Sequence, residues 1–330
     1  MSERPASDID AAAVCSLIEA VDKGFQRTPL VGVGEMHWCP EVLEQMFALI
    51  EAPAVQAHTQ TVVVEFGSER HQDVLDRYLA GEALSDTALS LICEDTLHGV
   101  LWSPWVYQQF FEHVRRVNQT LPPSKRWRVL LAEAAFDWQT ATETRWQAAM
   151  DERDARYADC VTRHVLARDD KALLIFGAMH LIKSTLPGAC APSMGTLLAS
   201  QLTTLWPVID GHTHVAADTM TTWPVGSVIV LDDAPAAGRW PFDRFARKGQ
   251  SVGHTRNYCD MLWHAGAFTR KVCLPEGRLS DAGWLARTRA RIETRSVERQ
   301  RQLWQLFPEH VLNELGVEVA VRSFLESELN

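Results

Sequence analysis

The sequence predicts an α/β protein: a mostly parallel sheet flanked by helices, with a helical C-terminal region. Three observations carry this. Short runs rich in Val, Ile and Leu lack the polar alternation of a half-exposed strand, so each suits a strand buried on both faces. Longer stretches with apolar residues at helical spacing separate them, which is the alternation of a helix-covered parallel sheet. After about residue 240 the strand-like runs give way to irregular and then helical sequence.

In order, the spacing of apolar residues predicts a helix over Ala11–Lys23, and the run Pro29–Val33 predicts the first strand. A helix over Glu41–Ile50 leads to the second strand, Thr61–Glu65. Helices over His71–Leu79 and Val106–Asn118 precede a third strand, Trp127–Leu131. One long helix over Thr142–Ala167 comes next, then the strands Ala172–Phe176, Leu202–Ile209 and Val225–Leu231. Residues 1–235 are expected to form the α/β core and 236–330 a mainly helical extension packed on it. Ala282–Leu325 is helical in pattern, with a break near Pro308. Its arginines (287, 289, 291, 295, 299 and 301) alternate with Glu293 and Glu298, as expected of a solvated helix face with i,i+4 pairing.

Composition excludes several classes. The 330 residues carry 32 Lys+Arg against 42 Asp+Glu, a net charge of −10, which opposes a nucleic-acid partner. Seven widely spaced cysteines without a Cys-x-x-Cys pair signal neither a disulfide framework nor a thiolate zinc site. No apolar run is long enough for a membrane helix. The N-terminus has acids where a signal peptide needs bases, and no hydrophobic segment precedes Cys15 as a lipoprotein site requires. A cytoplasmic protein acting on a small molecule or peptide is the expectation.

Chemistry concentrates at strand ends. The first strand runs into Gly34-Glu35-Met36-His37, the second ends in Glu65-Phe66-Gly67, and the fourth in Gly177-Ala178-Met179-His180. Ligands of an open parallel sheet bind beyond the carboxyl ends of its strands, so Glu35, His37, Glu65 and His180 are predicted to converge there. Two imidazoles and two carboxylates can ligate zinc, manganese or iron. Without metal, the same set supplies a His general base oriented by Glu. Spacing does not separate the two. Arg70, His71, Asp137, Trp138 and His214 form a second tier that can line a substrate pocket. Twelve tryptophans is a high count, for which core packing is the default reading.

The Gly-Glu-x-His motif (Gly34, Glu35, His37), Glu65, and the late Gly-x-x-His (Gly177, His180) resemble the erythromycin esterase/ChaN/Tiki superfamily. The stretches EFGSERHQDVLDRYLAGE, RVLLAEAAFDW and KALLIFGAMHL, with Arg153-Asp154, look like an uncharacterised bacterial branch; the resemblance covers about residues 28 to 230. It implies an α/β fold with its site at the strand ends. It also implies one of three activities: lactone hydrolysis by a His-activated water, metal-dependent proteolysis, or haem binding. Glu133-Ala134-Ala135 departs from the Asp-Pro-Pro-like turn expected of closer relatives, which puts a role for Glu133 in doubt.

Other motifs fail. Asp210-Gly211-His212-Thr213-His214 imitates an amidohydrolase metal motif, but less than half of a (β/α)8 barrel of about 250 residues follows it. A Gly-x-Ser-x-Gly elbow and Gly-rich phosphate loops are absent. The leading expectation is hydrolysis of an ester, lactone or amide by water activated at the sheet edge, with a divalent metal. His37 and His180 then serve as ligands or base, Glu35 and Glu65 as ligands or His-orienting groups. Haem or metal binding without turnover, and iron-dependent redox chemistry at the same residues, are the alternatives.

Overall fold

The computed structural model describes residues 9, 13–37, 39–99, 101–210, 219–220, 222–242, 252–267, 274–275, 277–298 and 300. Its centre is an eight-stranded sheet formed by β1 (Val14–Ser16), β2 (Leu30–Glu35), β3 (Thr61–Ser68), β4 (Arg128–Glu133), β5 (Ala172–Gly177), β6 (Leu202–Asp210), β7 (Ser227–Val230) and β8 (Met261–Ala267). The spatial order is β1-β7-β8-β6-β2-β5-β3-β4. From β8 to β4 every pairing is parallel; β7 pairs antiparallel with β8 and with β1. The expected α/β class holds.

β2, β3 and β5 are buried along their whole length, which is why they read as unbroken apolar runs. Val31, Val33, Val62, Val64 and Ile175 point to one face. They meet α1 (Leu17–Arg27), α2 (Pro40–Glu51), α4 (Asp86–Glu94) and α5 (Trp105–Thr120) there; α3 (Gln72–Leu79) adds Leu75 and Leu79. Leu30, Val63, Leu130, Leu174 and Phe176 point to the other, against Tyr157 and Val161 of α7 (Arg153–His164). Register brings the ends of adjacent strands level: Glu35 lies beside Gly177 and Val64 beside Ile175. Among the described residues no helix is long and apolar enough to cross a membrane.

Three expectations are corrected. The helix placed over Ala11–Lys23 begins only at Leu17, because Val14–Ser16 pairs with β7 and Ser16 closes a capping box with Glu19. The long helix over Thr142–Ala167 is two, α6 (Glu143–Asp151) and α7, divided at Glu152. The sheet also passes residue 235, since β8 lies between β6 and β7 and completes the core. Of the predicted C-terminal helix, α8 (Ala282–Glu293) is seen; residues 301–330, with Pro308 and Arg301, and Arg299 lie outside the described residues.

Candidate active site

Four neighbouring parallel strands, β2, β5, β3 and β4, deliver Glu35, Gly177, Glu65 and Glu133 to one edge of the sheet. All three carboxylates are buried. A buried carboxylate needs hydrogen-bond and charge partners, and the chain supplies them from loops and from α7.

Glu35 accepts a hydrogen bond from Nδ1 of His37, so the other ring nitrogen, Nε2, is left to face inward over Gly177. A Cβ on residue 177 would stand 2.6 Å from Cε1 of His37 and 3.1 Å from Oε2 of Glu65. Only glycine lets those side chains close over this strand end. The Gly177 amide itself donates to Glu65 Oε2 at 2.7 Å. Trp102 sets its ring edge-on to His37, 4.8 Å between centroids. The His37 side chain remains about 32% exposed, so the cluster is reachable from outside.

On the other side of Glu65, Nε2 of His180 lies 3.2 Å from Oε1 and the Arg153 guanidinium 2.9 Å from the same oxygen. Arg153 also donates to Glu133 at 2.9 Å, and the Tyr157 hydroxyl donates to that Glu133 oxygen at 2.6 Å. Asp154 takes the remaining nitrogen of His180 at 2.9 Å and also accepts from the Met194 amide. Arg153, Tyr157 and Val161 share one buried stripe of α7 at i, i+4, i+8 spacing, which is how a helix start reaches into a sheet edge.

Charge states follow. Burial raises the Glu65 carboxyl, but His180, His37 and Arg153 outweigh it and hold it well below the usual range. Burial disfavours charge on His180, yet Glu65 and Asp154 carry its pKa up to about 10. It is an imidazolium at neutral pH. His37 is likewise raised, with burial opposed by Glu35 and Glu65.

Ligand atoms of Glu35, His37 and Glu65 all lie within 4.8 Å of one another, a spacing that can enclose one cation. His180 stands outside this group with both nitrogens on carboxylates. The four predicted residues therefore meet in one place but divide in role: three can ligate, and His180 braces Glu65. Glu35 Oε2 and Glu133 Oε1 are buried without partners, and an unpaired buried acceptor costs about 1–3 kcal/mol. The Glu35 oxygen belongs to the group with ligand spacing, and a cation there would satisfy it.

The second tier separates from this cluster. Arg70, Asp137 and Trp138 line a cavity of about 400 Å³ together with Asp95, Arg287 and Arg291. Arg70 donates to the Phe136 carbonyl, Asp137 caps a turn through Gln139 and Thr140, and Trp138 lies beneath Arg291 and Arg295. His71 pairs with Asp95 at 2.8 Å. None of the strand-end residues lines that cavity. His212 and His214 lie outside the described residues.

The sequence reading missed four contributors. Glu133 obeys the same strand-end rule as Glu65 but was set aside for its neighbours. Arg153 and Asp154 stand in the sequence only as part of the resemblance, with no role attached; in the structure Arg153 reaches Glu65 and Glu133, and Asp154 reaches His180. Tyr157 carried no signal beyond its spacing from Arg153. Arg289 and Glu293 form the expected exposed i,i+4 pair, but other arginines on α8 and in the turns flanking it dock onto the core. Arg278 and Arg287 each lie 3.0 Å from Glu94, while Arg291 binds Asp95 and Arg295 donates to the Leu97 carbonyl.

No protein-family model matches the chain, and no curated protein matches it. Among the solved structures similar to it are two that align over most of the chain. A succinoglycan biosynthesis protein, 10% identical, aligns over 77% of this chain and 92% of its own with a TM-score of 0.56. A protein from Bacillus cereus, 9% identical, aligns over 80% and 95% with a TM-score of 0.51. At such identities the likeness is one of fold.

Proposed function

We propose that the chain is a divalent-metal-dependent hydrolase of the erythromycin esterase/ChaN/Tiki type, acting on an ester, lactone or amide of a small molecule or peptide. The observation that carries this is the Glu35–His37–Glu65 group, with its buried, unpaired Glu35 oxygen, at the strand edge where ligands of parallel sheets bind. Glu35, His37 Nε2 and Glu65 would hold the ion. A bound zinc or manganese ion lowers the pKa of its water and polarises a carbonyl. The chain's own residues do the rest. Glu35 fixes the His37 ring, the His180 imidazolium and Arg153 keep Glu65 ionised and in place, and Trp102 walls the His37 side.

Metal per chain, measured by mass spectrometry on protein reconstituted with zinc or manganese, tests the reading beside hydrolysis of p-nitrophenyl acetate. The wild type should hold near one equivalent and turn over the ester. His37→Ala and Glu35→Gln should lose both. Equal metal content and activity in those variants would sink the proposal, and stoichiometric iron in the protein as purified, with no ester turnover in any metal form, would transfer it to redox chemistry.

A further inference from the structure

Apart from the strand-end group, polar side chains converge on the cavity of about 400 Å³ walled by Arg70 after β3, Asp137 and Trp138 after β4, and Arg287 and Arg291 of α8. That volume is within the range of small-molecule sites. Three segments far apart in the chain build it, and their hydrogen bonds leave it unbalanced. The acceptors of the wall are spent. Asp95 takes His71 on one oxygen and Arg291 on the other. Asp137 takes the Gln139 amide at 3.0 Å and the Thr140 hydroxyl at 2.7 Å. The donors are not spent. Among the described residues the Arg70 guanidinium donates to the Phe136 carbonyl alone, and that of Arg287 to Glu94 alone. Arg287 Nε and Trp138 Nε1 are shut from solvent with no partner, and a buried N–H left so is costly until an acceptor arrives.

Charge is unbalanced in the same sense. The wall sets three guanidiniums against two carboxylates. Behind it Arg278 balances Glu94, and Arg295 adds a further guanidinium over the Trp138 ring. Positive charge thus gathers here in a chain whose net charge is −10. We infer that this cavity is a binding site for a small organic carboxylate, held by the unspent donors of Arg70 and Arg287. A guanidinium fork matches the paired oxygens of a carboxylate, and Leu91, Ala290 and Trp138 give an apolar body a wall to lie against. An inorganic dianion suits the cavity less. Asp95 and Asp137 repel its second charge, and it has nothing to set against the apolar side. No strand-end residue lines the cavity, so the site is separate from the Glu35–His37–Glu65 group and does not rest on the hydrolase reading.

The test titrates the full chain with benzoate, and separately with inorganic phosphate, followed by nitrogen-15 NMR. Benzoate should bind with a Kd of about 1 mM or below, and phosphate at least about tenfold more weakly. The Trp138 indole N–H, assigned from Trp138→Phe, should move as benzoate fills the site. Arg70→Gln and Arg287→Gln should each weaken benzoate about tenfold or more with an unchanged circular dichroism spectrum. The fold survives the second change because Glu94 keeps Arg278. Glu35→Gln and Arg156→Gln, the latter at an exposed ion pair, should bind benzoate as the wild type does. A wild type that binds no benzoate, a stationary Trp138 signal, or wild-type affinity in either cavity variant overturns the proposal. Binding lost in Glu35→Gln places the anion at the strand ends and overturns it too. Phosphate bound as tightly as benzoate overturns the carboxylate class.

Discussion

Removing the Arg153 guanidinium would strand Glu65 and Glu133 where neither reaches water, since both are within 1% of full burial. The usual cost of breaking such a pair is about 3–5 kcal/mol. Arg153→Met should therefore lower the urea midpoint by that equivalent, far more than an exposed pair such as Arg156–Glu152, where the expected loss is under about 1 kcal/mol. A similar loss in both would mean Arg153 is not a buried anchor. Gly177→Ala makes a different demand. The added methyl must displace His37 or Glu65, so zinc affinity should fall at least about tenfold with the sheet intact, as read by isothermal titration and circular dichroism. Glu35, His37 and Glu65 were legible in the sequence because each directly ends or follows a buried apolar run, and a parallel sheet aligns such ends. Arg153 was not, because its partners lie 88 and 20 positions away and only the α6–α7 break aims it at them.

At the scale of elements, α8 and the turn after it hold the start of the loop that carries Trp102. Arg291 binds Asp95 and the Glu94 carbonyl, and Arg295 holds Leu97, so residues 94–97 are fastened from nearly two hundred positions away. Arg295→Ala removes a charge-assisted bond to a carbonyl that Trp146 still satisfies. Amide exchange over residues 97–103 should quicken about tenfold while the β2–β5 amides stay protected. Equal exchange in the wild type would show that the loop supports itself. This docking is hard to read from sequence, since alternating Arg and Glu spacing describes a solvated helix equally well until its partner is known. β1 and β8 were lost for related reasons. Three residues of β1 fit inside a helical repeat, although Ser16 with Glu19 marked the true start of α1. A seven-residue apolar run such as β8 cannot be told by periodicity from a buried helix segment.

For the whole molecule, the buried charge network makes stability depend on pH with a definite sign. His180 has a pKa near 10 when folded against an ordinary 6.5, so the folded state binds the extra proton. Its contribution is full below about 6.5 and is lost as pH rises through 10. Glu65 and Asp95 are shifted the other way, each held below its ordinary value, so their contributions are present above about 4.5 and 3.8 and lost on acidification. Between pH 4.5 and 6.5 the contributions of these three groups are all present, whereas His98, His113 and His164, whose pKa values are lowered by burial, oppose folding as the pH falls below 6.5. Net negative charge growing above the pI also disfavours the compact state on the alkaline side, so the slope alone does not identify His180. His180→Gln separates the two, because it removes the titration and leaves the net charge nearly as it is at high pH. Urea midpoints of chelator-treated protein should fall steadily from pH 6.5 to 9.5 in the wild type and much less steeply in the variant. Parallel slopes would place the alkaline loss in general charge repulsion and take the buried imidazolium out of the site.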